Sequence, residues 1–314
     1  MSGIVIPRSF SLQCFRNTKG PLIDVRSPGE FQKGHWPGAT NIPLFNDQER
    51  SLIGTSYKKE GRRKAIHLGI YLIKPKLPIL KKLLETKCFE SNGSSLKIYC
   101  WRGGLRSSSM GWLANLLGIK TIILKDGYKS YRRWSLNQFE KQWPLRIIGG
   151  KTGTGKTSLL LDLEKKGIST INLEGLANHR GSSFGGIELG KQPTSENFEN
   201  ILAEKLNQFE EKSITEIWLE DESIALGQCR IPKSFFSQMN KAPLIEIIKN
   251  SQERVSSLVK EYGKYKEEDL REATLRIRKR LGPQRTSKAL QAIEQHNWEQ
   301  ACLIMLEYYD KCYE

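Results

Sequence analysis

The chain has 314 residues, and its 50 Lys and Arg outnumber its 34 Asp and Glu, which gives a formal net charge of +16. Hydrophobic residues make up 38% of the sequence, which excludes an intrinsically disordered composition and, at roughly 100–200 residues per domain, favours two packed domains. The excess of positive charge indicates a polyanionic partner. Nucleic acid is the first candidate and an anionic membrane surface the second, and the alternative is lysine that only confers solubility.

The cysteines and the apolar segments favour a reducing, aqueous compartment. The six cysteines, at positions 14, 88, 100, 229, 302 and 312, show neither C-x-x-C spacing nor a zinc-binding pattern with histidine. The N-terminus lacks the long apolar stretch of a signal peptide, and the apolar runs are far below the ~18–20 residues that span a bilayer. We therefore expect a cytoplasmic protein with no membrane partner.

The N-terminal part of the chain shows the strand–helix–strand alternation of a parallel α/β layer. A helix start is predicted at Ser27, which is followed by Pro28 and Glu30, residues favoured in a first helical turn. The polar and basic segment 46–64 lacks clear periodicity, and we expect it to cover the surface. The predicted strands are residues 22–25, 96–99 and 121–124, and the predicted helices are residues 77–84 and 107–117.

A cysteine-containing loop directly follows the strand at 96–99. In the sequence Cys-Trp-Arg-Gly-Gly-Leu-Arg, Gly103 and Gly104 allow the chain to curl, and Arg102 and Arg106 flank Cys100. Backbone N–H groups and guanidinium groups around a sulfur stabilise a thiolate or an oxyanion. Cys100, Arg102 and Arg106 are therefore candidate catalytic residues, and the alternative is a buried structural cysteine.

A second α/β pattern begins after an aromatic and polar junction at residues 132–143. We predict an N-terminal domain at residues 1–134, a linker at 135–144 and a C-terminal domain at 145–314. In the C-terminal domain the predicted strands are residues 145–148, 170–173, 216–219 and 244–248, a helix is predicted at 158–165, and the chain is helical and strongly charged from residue 251 onward.

Residues 150–157, Gly-Lys-Thr-Gly-Thr-Gly-Lys-Thr, match the P-loop pattern G-x-x-x-x-G-K-[ST] at every fixed position. Gly150, Gly153 and Gly155 let the backbone N–H groups wrap a phosphate. Lys156 adds a positive charge, and Thr157 can hold Mg²⁺. The pattern lies between a predicted strand and a predicted helix, which favours phosphate binding over a chance glycine turn.

Acidic residues follow the strand at 216–219, where a second anchor for Mg²⁺ is expected. Asp221 or Glu222 can serve as that anchor, and we assign the metal site to Thr157 and Asp221. The alternative is a solvated acidic turn.

The segment 174–185 carries His179, Arg180 and a Gly-Ser-Ser-Phe-Gly-Gly turn. We expect it to close over the glycine loop and to bring Arg180 to a pyrophosphate. An ordinary surface loop is the alternative, and the composition does not decide between them.

Basic segments provide candidate RNA contacts. Arg278 and Arg280 belong to a helical pattern that can reach backbone phosphates. Tyr128 and Lys129 belong to a run in which aromatic and basic residues alternate, and such a run can stack on a splayed base. A solvated charged face is the alternative for each segment.

The N-terminal domain resembles rhodanese domains in two segments. Asp-Val-Arg-Ser-Pro-Gly-Glu at 24–30 and Gly-His-Trp-Pro-Gly-Ala-Thr-Asn-Ile-Pro at 34–43 are similar to the opening signature of that family. The resemblance implies that Cys100 carries sulfur or selenium. The loop from Cys100 to Arg106 is C-x5-R, one residue longer than is usual in sulfurtransferases and similar to the rhodanese-related dual-specificity phosphatases. Those enzymes usually place His before the cysteine, where this chain has Tyr99, so a phosphatase remains a minor alternative.

The whole chain, from about residue 20 to 313, resembles the bacterial tRNA 2-selenouridine synthase family, in which a rhodanese domain precedes a P-loop domain. The resemblance implies a rhodanese-like parallel sheet followed by a P-loop NTPase-like α/β domain with a helical C-terminal region. It also implies that the wobble 2-thiouridine in the tRNA anticodon region is converted to 2-selenouridine with selenophosphate, through an S-geranyl intermediate made from geranyl diphosphate. The segments that carry it are 100–107, 127–129, 173–184, 192–193, 218–223, 280–282 and 308–311.

Two other classes of function stay open at this point. One is a P-loop NTPase or kinase with an attached sulfurtransferase or phosphatase-like rhodanese domain, which requires a base near the γ-phosphate that the sequence does not assign. The other is a nucleotide-responsive binding protein with the rhodanese part as a scaffold, for which Cys100 is dispensable.

Overall fold

The computed structural model describes residues 7–181, 184–187 and 189–310. The chain forms two compact units, Met1–Asn137 and Gln138–Glu314. Ser182 and Ser183 of the predicted glycine-rich turn, and Lys311 of the C-terminal segment, lie outside the described residues.

The first unit is built on a parallel sheet, as the alternation of strands and helices predicts. Its strands stand in the order β1-β5-β4-β2-β3, and every described pairing is parallel. All four residues of β4 are buried, as expected for a parallel strand with both faces covered. The carboxyl ends of β2 and β4 therefore lie side by side, and Cys100 directly follows β4. The strands are β1 (Arg8–Phe10), β2 (Leu22–Asp24), β3 (Thr40–Asn41), β4 (Leu96–Tyr99) and β5 (Thr121–Leu124).

Capping interactions define two of the helices of the first unit. The helix predicted at Ser27 is confirmed, and the Glu30 carboxylate accepts a hydrogen bond from the Ser27 N–H at 3.1 Å. The segment 46–64, which lacks clear periodicity in the sequence, contains a long helix, because Asn46 and Glu49 form a reciprocal capping box with two 2.8 Å bonds at its start. The helices are α1 (Leu12–Asn17), α2 (Pro28–Lys33), α3 (Asp47–Glu60), α4 (Arg62–Ile73), α5 (Leu77–Glu90), α6 (Leu105–Leu116) and α7 (Gly127–Gln138).

The second unit has a parallel sheet in the order β11-β6-β8-β7 and a small antiparallel pair, β9 with β10. The glycine loop follows β6 directly, and β8 is the neighbour of β6, with Ile148 opposite Glu220. Acidic residues at the end of β8 are thereby placed beside the glycine loop. The strands are β6 (Leu145–Gly149), β7 (Thr170–Ile171), β8 (Ile217–Glu220), β9 (Ala225–Leu226), β10 (Cys229–Arg230) and β11 (Leu244–Glu246).

The helices of the second unit fall into a group that covers the sheet and a C-terminal group with a core of its own. The C-terminal helices confirm the predicted helical region after residue 251. Among the residues that the structure describes, no helix is both long enough and apolar enough to cross a membrane. The helices are α8 (Lys156–Lys165), α9 (Leu173–Ala177), α10 (Ser195–Glu211), α11 (Lys233–Met239), α12 (Ser251–Tyr262), α13 (Glu267–Arg276), α14 (Arg278–Leu281), α15 (Pro283–Glu294) and α16 (Trp298–Asp310).

Candidate functional site

The sulfur of Cys100 lies beneath its loop, against the first turn of α6. The residue is 3% exposed, and its Sγ lies 3.2 Å from the Ser107 Oγ and 4.0 Å from the Gly104 carbonyl oxygen. The helix predicted at 107–117 begins at Leu105, so Ser107 lies inside its first turn, and the Ser107 hydroxyl donates to the Gly104 carbonyl at 3.0 Å. The start of a helix favours negative charge on a neighbouring sulfur. Trp101 in the same loop and Leu105 at the start of α6 are 38% and 54% exposed.

The segment Gly127-Tyr128-Lys129 fixes the cysteine loop through its backbone. The Tyr128 N–H donates to the Cys100 carbonyl at 2.7 Å, and the Lys129 N–H donates to the Trp101 carbonyl at 3.1 Å. Gly127 has a φ of 56°, and a Cβ at this position would overlap the Cys100 carbonyl oxygen. Only glycine therefore permits this close approach.

The predicted stacking of Tyr128 on a base is wrong. Tyr128 is 0% exposed, and the guanidinium of the buried Arg26 lies 3.8 Å from its ring centroid. Arg26 is in turn held by Asp24 through a 2.6 Å ion pair. The aromatic ring is thus part of the support beneath the loop, while the side chain of Lys129 is exposed.

The two predicted catalytic arginines differ in their surroundings. Arg106 donates to the Glu30 carboxylate, with distances of 2.5 and 3.4 Å, so its charge is compensated by α2. Burial by itself would raise the pKa of Glu30, but the hydrogen bonds and charge of Arg106 outweigh it, and the pKa is lowered. Arg102 lies exposed on the loop. The sequence could not show the Glu30 contact, which joins residues 76 positions apart.

The glycine loop of the second unit has backbone angles that glycine adopts readily, and it leads directly into a helix. Gly150, Gly153 and Gly155 all have positive φ, and α8 begins at Lys156. The Lys156 ammonium donates to the Gly150 carbonyl at 2.5 Å, so the lysine folds back over its own loop. Successive N–H groups and a helix N-terminus form an anion site of this type.

Three glutamates lie beside the glycine loop. One carboxylate oxygen from each of Glu174, Glu220 and Glu222 lies within 4.8 Å of the others. The Thr157 hydroxyl donates to Glu220 at 2.9 Å, and its oxygen lies 3.4 Å from a Glu174 oxygen. The assignment of Asp221 as the metal ligand is wrong, because successive residues of an extended chain point to opposite sides and Asp221 is exposed.

The electrostatics of these glutamates favour a bound cation. Burial, followed by repulsion from Glu220, raises the pKa of Glu174 to about 7. Burial, followed by repulsion from Glu174, raises the pKa of Glu222 to about 8. Glu220 is 1% exposed, burial raises its pKa as well, and its Oε1 has no hydrogen-bond partner among the described residues. Oxygen ligands of this kind, with one buried oxygen unsatisfied, suit a hard divalent cation such as Mg²⁺.

The loop after α9 approaches two of the three glutamates, Glu174 and Glu222. A Cβ at Gly181 would come within 2.7 Å of a Glu222 oxygen and 2.8 Å of a Glu174 oxygen. Arg180, expected at the phosphate, instead lies 3.8 Å from a Glu261 oxygen, and it donates to the Ile187 carbonyl at 3.3 Å. The backbone of this segment thus approaches the carboxylates while the guanidinium contacts α12.

The second unit also carries basic residues on α14 and beside the glycine loop. Arg278 and Arg280 lie exposed on α14. Lys249, which the sequence analysis missed, places its ammonium 3.5 Å from the position of a Cβ at Gly155. Glu174 and Glu220 were missed too. Their signal was weak, although Glu220 ends an apolar strand and Lys249 follows a predicted one.

Comparisons with known proteins cover both units. Residues 12–133 match a family model described as a rhodanese-like domain, and residues 143–314 match one described as a tRNA 2-selenouridine synthase AAA domain. A tRNA 2-selenouridine synthase from Sulfurovum sp. (strain NBC37-1) is 36% identical, over 98% of this chain and 92% of that protein. One from Marinobacter nauticus is also 36% identical, over 94% of this chain and 87% of that protein. A solved structure described as the N-terminal domain of an ATP/GTP-binding protein from Clostridium difficile 630 is 32% identical. The match covers 40% of this chain and 97% of the solved domain, with a TM-score of 0.38.

Proposed function

Because the chain belongs to the tRNA 2-selenouridine synthase family of transferases, we propose that it converts the wobble 2-thiouridine of tRNA to 2-selenouridine through an S-geranyl intermediate. The proposed substrates are tRNA, geranyl diphosphate and selenophosphate. The observation that carries the proposal is the occurrence of two different anion sites, a sulfur at the start of α6 in one unit and a glycine loop with three glutamates in the other.

In the first proposed step the thiocarbonyl sulfur forms a bond to C1 of the geranyl group. The bond from C1 to the diphosphate oxygen breaks, the diphosphate leaves with the electron pair, and the base loses its N–H proton. The glycine-loop N–H groups and Lys156 stabilise the departing diphosphate. A divalent cation would be held by Thr157 with Glu174, Glu220 and Glu222 and would neutralise diphosphate charge when bound.

In the second proposed step the selenium of selenophosphate bonds to C2 of the base. The carbon–sulfur bond breaks, and geranyl thiol leaves with a proton. Water then cleaves the selenium–phosphorus bond and releases phosphate. Because alkylation makes the sulfur a better leaving group, geranyl transfer precedes the replacement of sulfur by selenium. In this step Cys100 either binds the selenium or assists the departure of the geranyl thiol. The exposed side chains of Lys129, Arg278 and Arg280 contact RNA phosphates.

The test of the first step compares two lysines of α8. We expect Lys156→Ala to reduce formation of S-geranyl-2-thiouridine by about 100–1000-fold, because a charge on the leaving group is lost. Lys165→Ala is the matched control, since Lys165 lies exposed at the other end of the helix. Nucleoside mass spectrometry of tRNA incubated with geranyl diphosphate measures both. A wild-type rate for Lys156→Ala would contradict the proposal.

The three glutamates beside Thr157 also favour one second candidate, a Mg²⁺-dependent P-loop NTPase or kinase, because such carboxylates can anchor Mg²⁺ or position a nucleophile. Steady hydrolysis of ATP or GTP without tRNA would support this candidate. Hydrolysis at the level of a blank, combined with transfer from geranyl diphosphate, supports the transferase.

A further inference from the structure

An apolar cavity of about 60 Å³ lies among the C-terminal helices of the second unit. Its walls come from α12, α13, α15 and α16, and they include Leu258, Ala301, Met305 and Leu306. Ala301 and Met305 are 7% and 8% exposed and belong to the core of this region. A cavity lined in this way provides almost no hydrogen-bonding partners and favours hydrocarbon.

This cavity adjoins the glycine loop at one residue. Thr152 is a loop residue and also lines the cavity. The carbonyl of Thr152 accepts a 2.8 Å hydrogen bond from Arg254, a 3% exposed residue of α12. Arg254 also forms a bidentate ion pair with Asp310 of α16, with distances of 2.9 and 2.6 Å. The two helices that form most of the cavity wall are therefore tied to the loop that binds the anion.

We propose that this cavity receives the end of the hydrocarbon chain of the diphosphate ester whose phosphates the glycine loop binds; this inference rests on the proposed function and identifies the residues that select the chain. A nucleoside attached to the same phosphates would need partners for its base and ribose, and the cavity walls offer carbon instead. An alkyl chain needs only apolar surface, and burying it removes that surface from water.

The volume of the cavity sets a limit on the chain. An apolar cavity of roughly 150 Å³ in another protein binds benzene, so about 60 Å³ admits only the end of a short branched chain. A prenyl chain can therefore place its terminal branched group in the cavity, and a longer chain requires the walls to move. Ala301 and Met305 are two of the side chains that line this volume.

A filling substitution tests the occupant. Ala301→Leu reduces the cavity, and we expect its affinity for geranyl diphosphate to fall by about tenfold or more, while its affinity for inorganic diphosphate stays within twofold of wild type. Gln300→Leu, at the exposed neighbouring position of α16, is the matched control and should bind both ligands as wild type does. Titration calorimetry of the full chain measures both ligands. Unchanged geranyl diphosphate affinity in a folded Ala301→Leu variant would overturn the inference.

An enlarging substitution tests the limit independently. Met305→Ala should raise the affinity for farnesyl diphosphate relative to geranyl diphosphate by about tenfold, and Leu303→Ala, exposed on the same helix, should not. If the ratio of the affinities for farnesyl and geranyl diphosphate changes in neither variant, the cavity does not select the chain. If wild type fails to bind inorganic diphosphate, the proposed function itself fails. Diphosphate binding with no preference for a geranyl chain would overturn only the inference about the cavity.

Discussion

The cysteine loop and the glycine loop occupy the same place in their sheets, between the end of a parallel strand and the start of a helix. They differ in how their charges are compensated. At the cysteine loop Arg106 is paired with Glu30, and Arg26, which follows β2, is paired with Asp24. In the glycine loop three glutamates with raised pKa values crowd Thr157, and one buried oxygen lacks a hydrogen-bond partner among the described residues. Arg106 and Arg26 thus have acidic partners, whereas the carboxylates beside the glycine loop have like-charged neighbours that raise their pKa values.

The largest effect should come from removing a carboxylate beside the glycine loop. We expect Glu220→Gln to lower geranyl transfer by about a thousandfold, because the cation that screens the diphosphate loses a buried ligand. Asp221→Asn, which changes the exposed neighbour, should remain near wild type. Rates of geranyl transfer measured against Mg²⁺ concentration compare the two variants. Equal effects of the two substitutions would contradict the assignment of Glu220 as a cation ligand.

A smaller effect is expected from disturbing the position of the first loop. Gly127→Ala places a Cβ on the Cys100 carbonyl oxygen at a positive φ, so the loop must shift. A displacement of about 1 Å at a reacting group costs about a hundredfold in rate. The conversion of pre-geranylated tRNA to selenated tRNA should fall by that factor, while geranyl transfer is unchanged. Gly118→Ala, at a positive φ with open space around it, controls for backbone strain alone.

Ser107→Ala should have a still smaller effect on the same step. It removes the hydroxyl that lies 3.2 Å from the Cys100 sulfur, and a hydrogen bond of this kind contributes about tenfold in rate. Ser107→Thr keeps the hydroxyl and should restore the rate if its methyl group is tolerated. An Ala variant as fast as wild type at every pH would show that the hydroxyl does not act on the sulfur.

The smallest effect concerns stability. Because the pKa of Glu30 is lower in the folded protein than in the unfolded chain, its ion pair with Arg106 stabilises the fold above the ordinary glutamate pKa and is lost as the pH falls. At pH 7, Glu30→Gln should lower the free energy of unfolding by about 1 kcal/mol, a modest value because both side chains are partly exposed to solvent. In urea titrations the difference should shrink as the pH falls below the ordinary glutamate pKa of about 4.3, and it should vanish below the lowered pKa of Glu30 in the folded protein. A difference that grows on acidification would contradict the pairing.

Local patterns were sufficient to predict much of the fold, but not the side-chain geometry of the sites. The Ser27 helix start and the glycine loop each depend on residues within eight positions of one another, so the sequence shows them directly. The capping box at Asn46 and Glu49 was equally local and was overlooked. By contrast, Glu30 meets Arg106 and Glu174 meets Glu220 only after folding. The choice of Glu220 over Asp221 depends on which side of β8 each residue faces, and a strand end uncertain by one residue reverses it.

The most direct test of whether two anion sites act one after the other on the same base is to identify the nucleoside that the Cys100→Ala variant produces. We would supply it with tRNA containing 2-thiouridine, geranyl diphosphate and selenophosphate, and analyse the wobble nucleoside by mass spectrometry. We expect S-geranyl-2-thiouridine to accumulate and no 2-selenouridine to form. Cys14→Ala, which changes an exposed cysteine of the same unit, should give 2-selenouridine as wild type does. Formation of 2-selenouridine by Cys100→Ala at the wild-type rate would contradict this expectation.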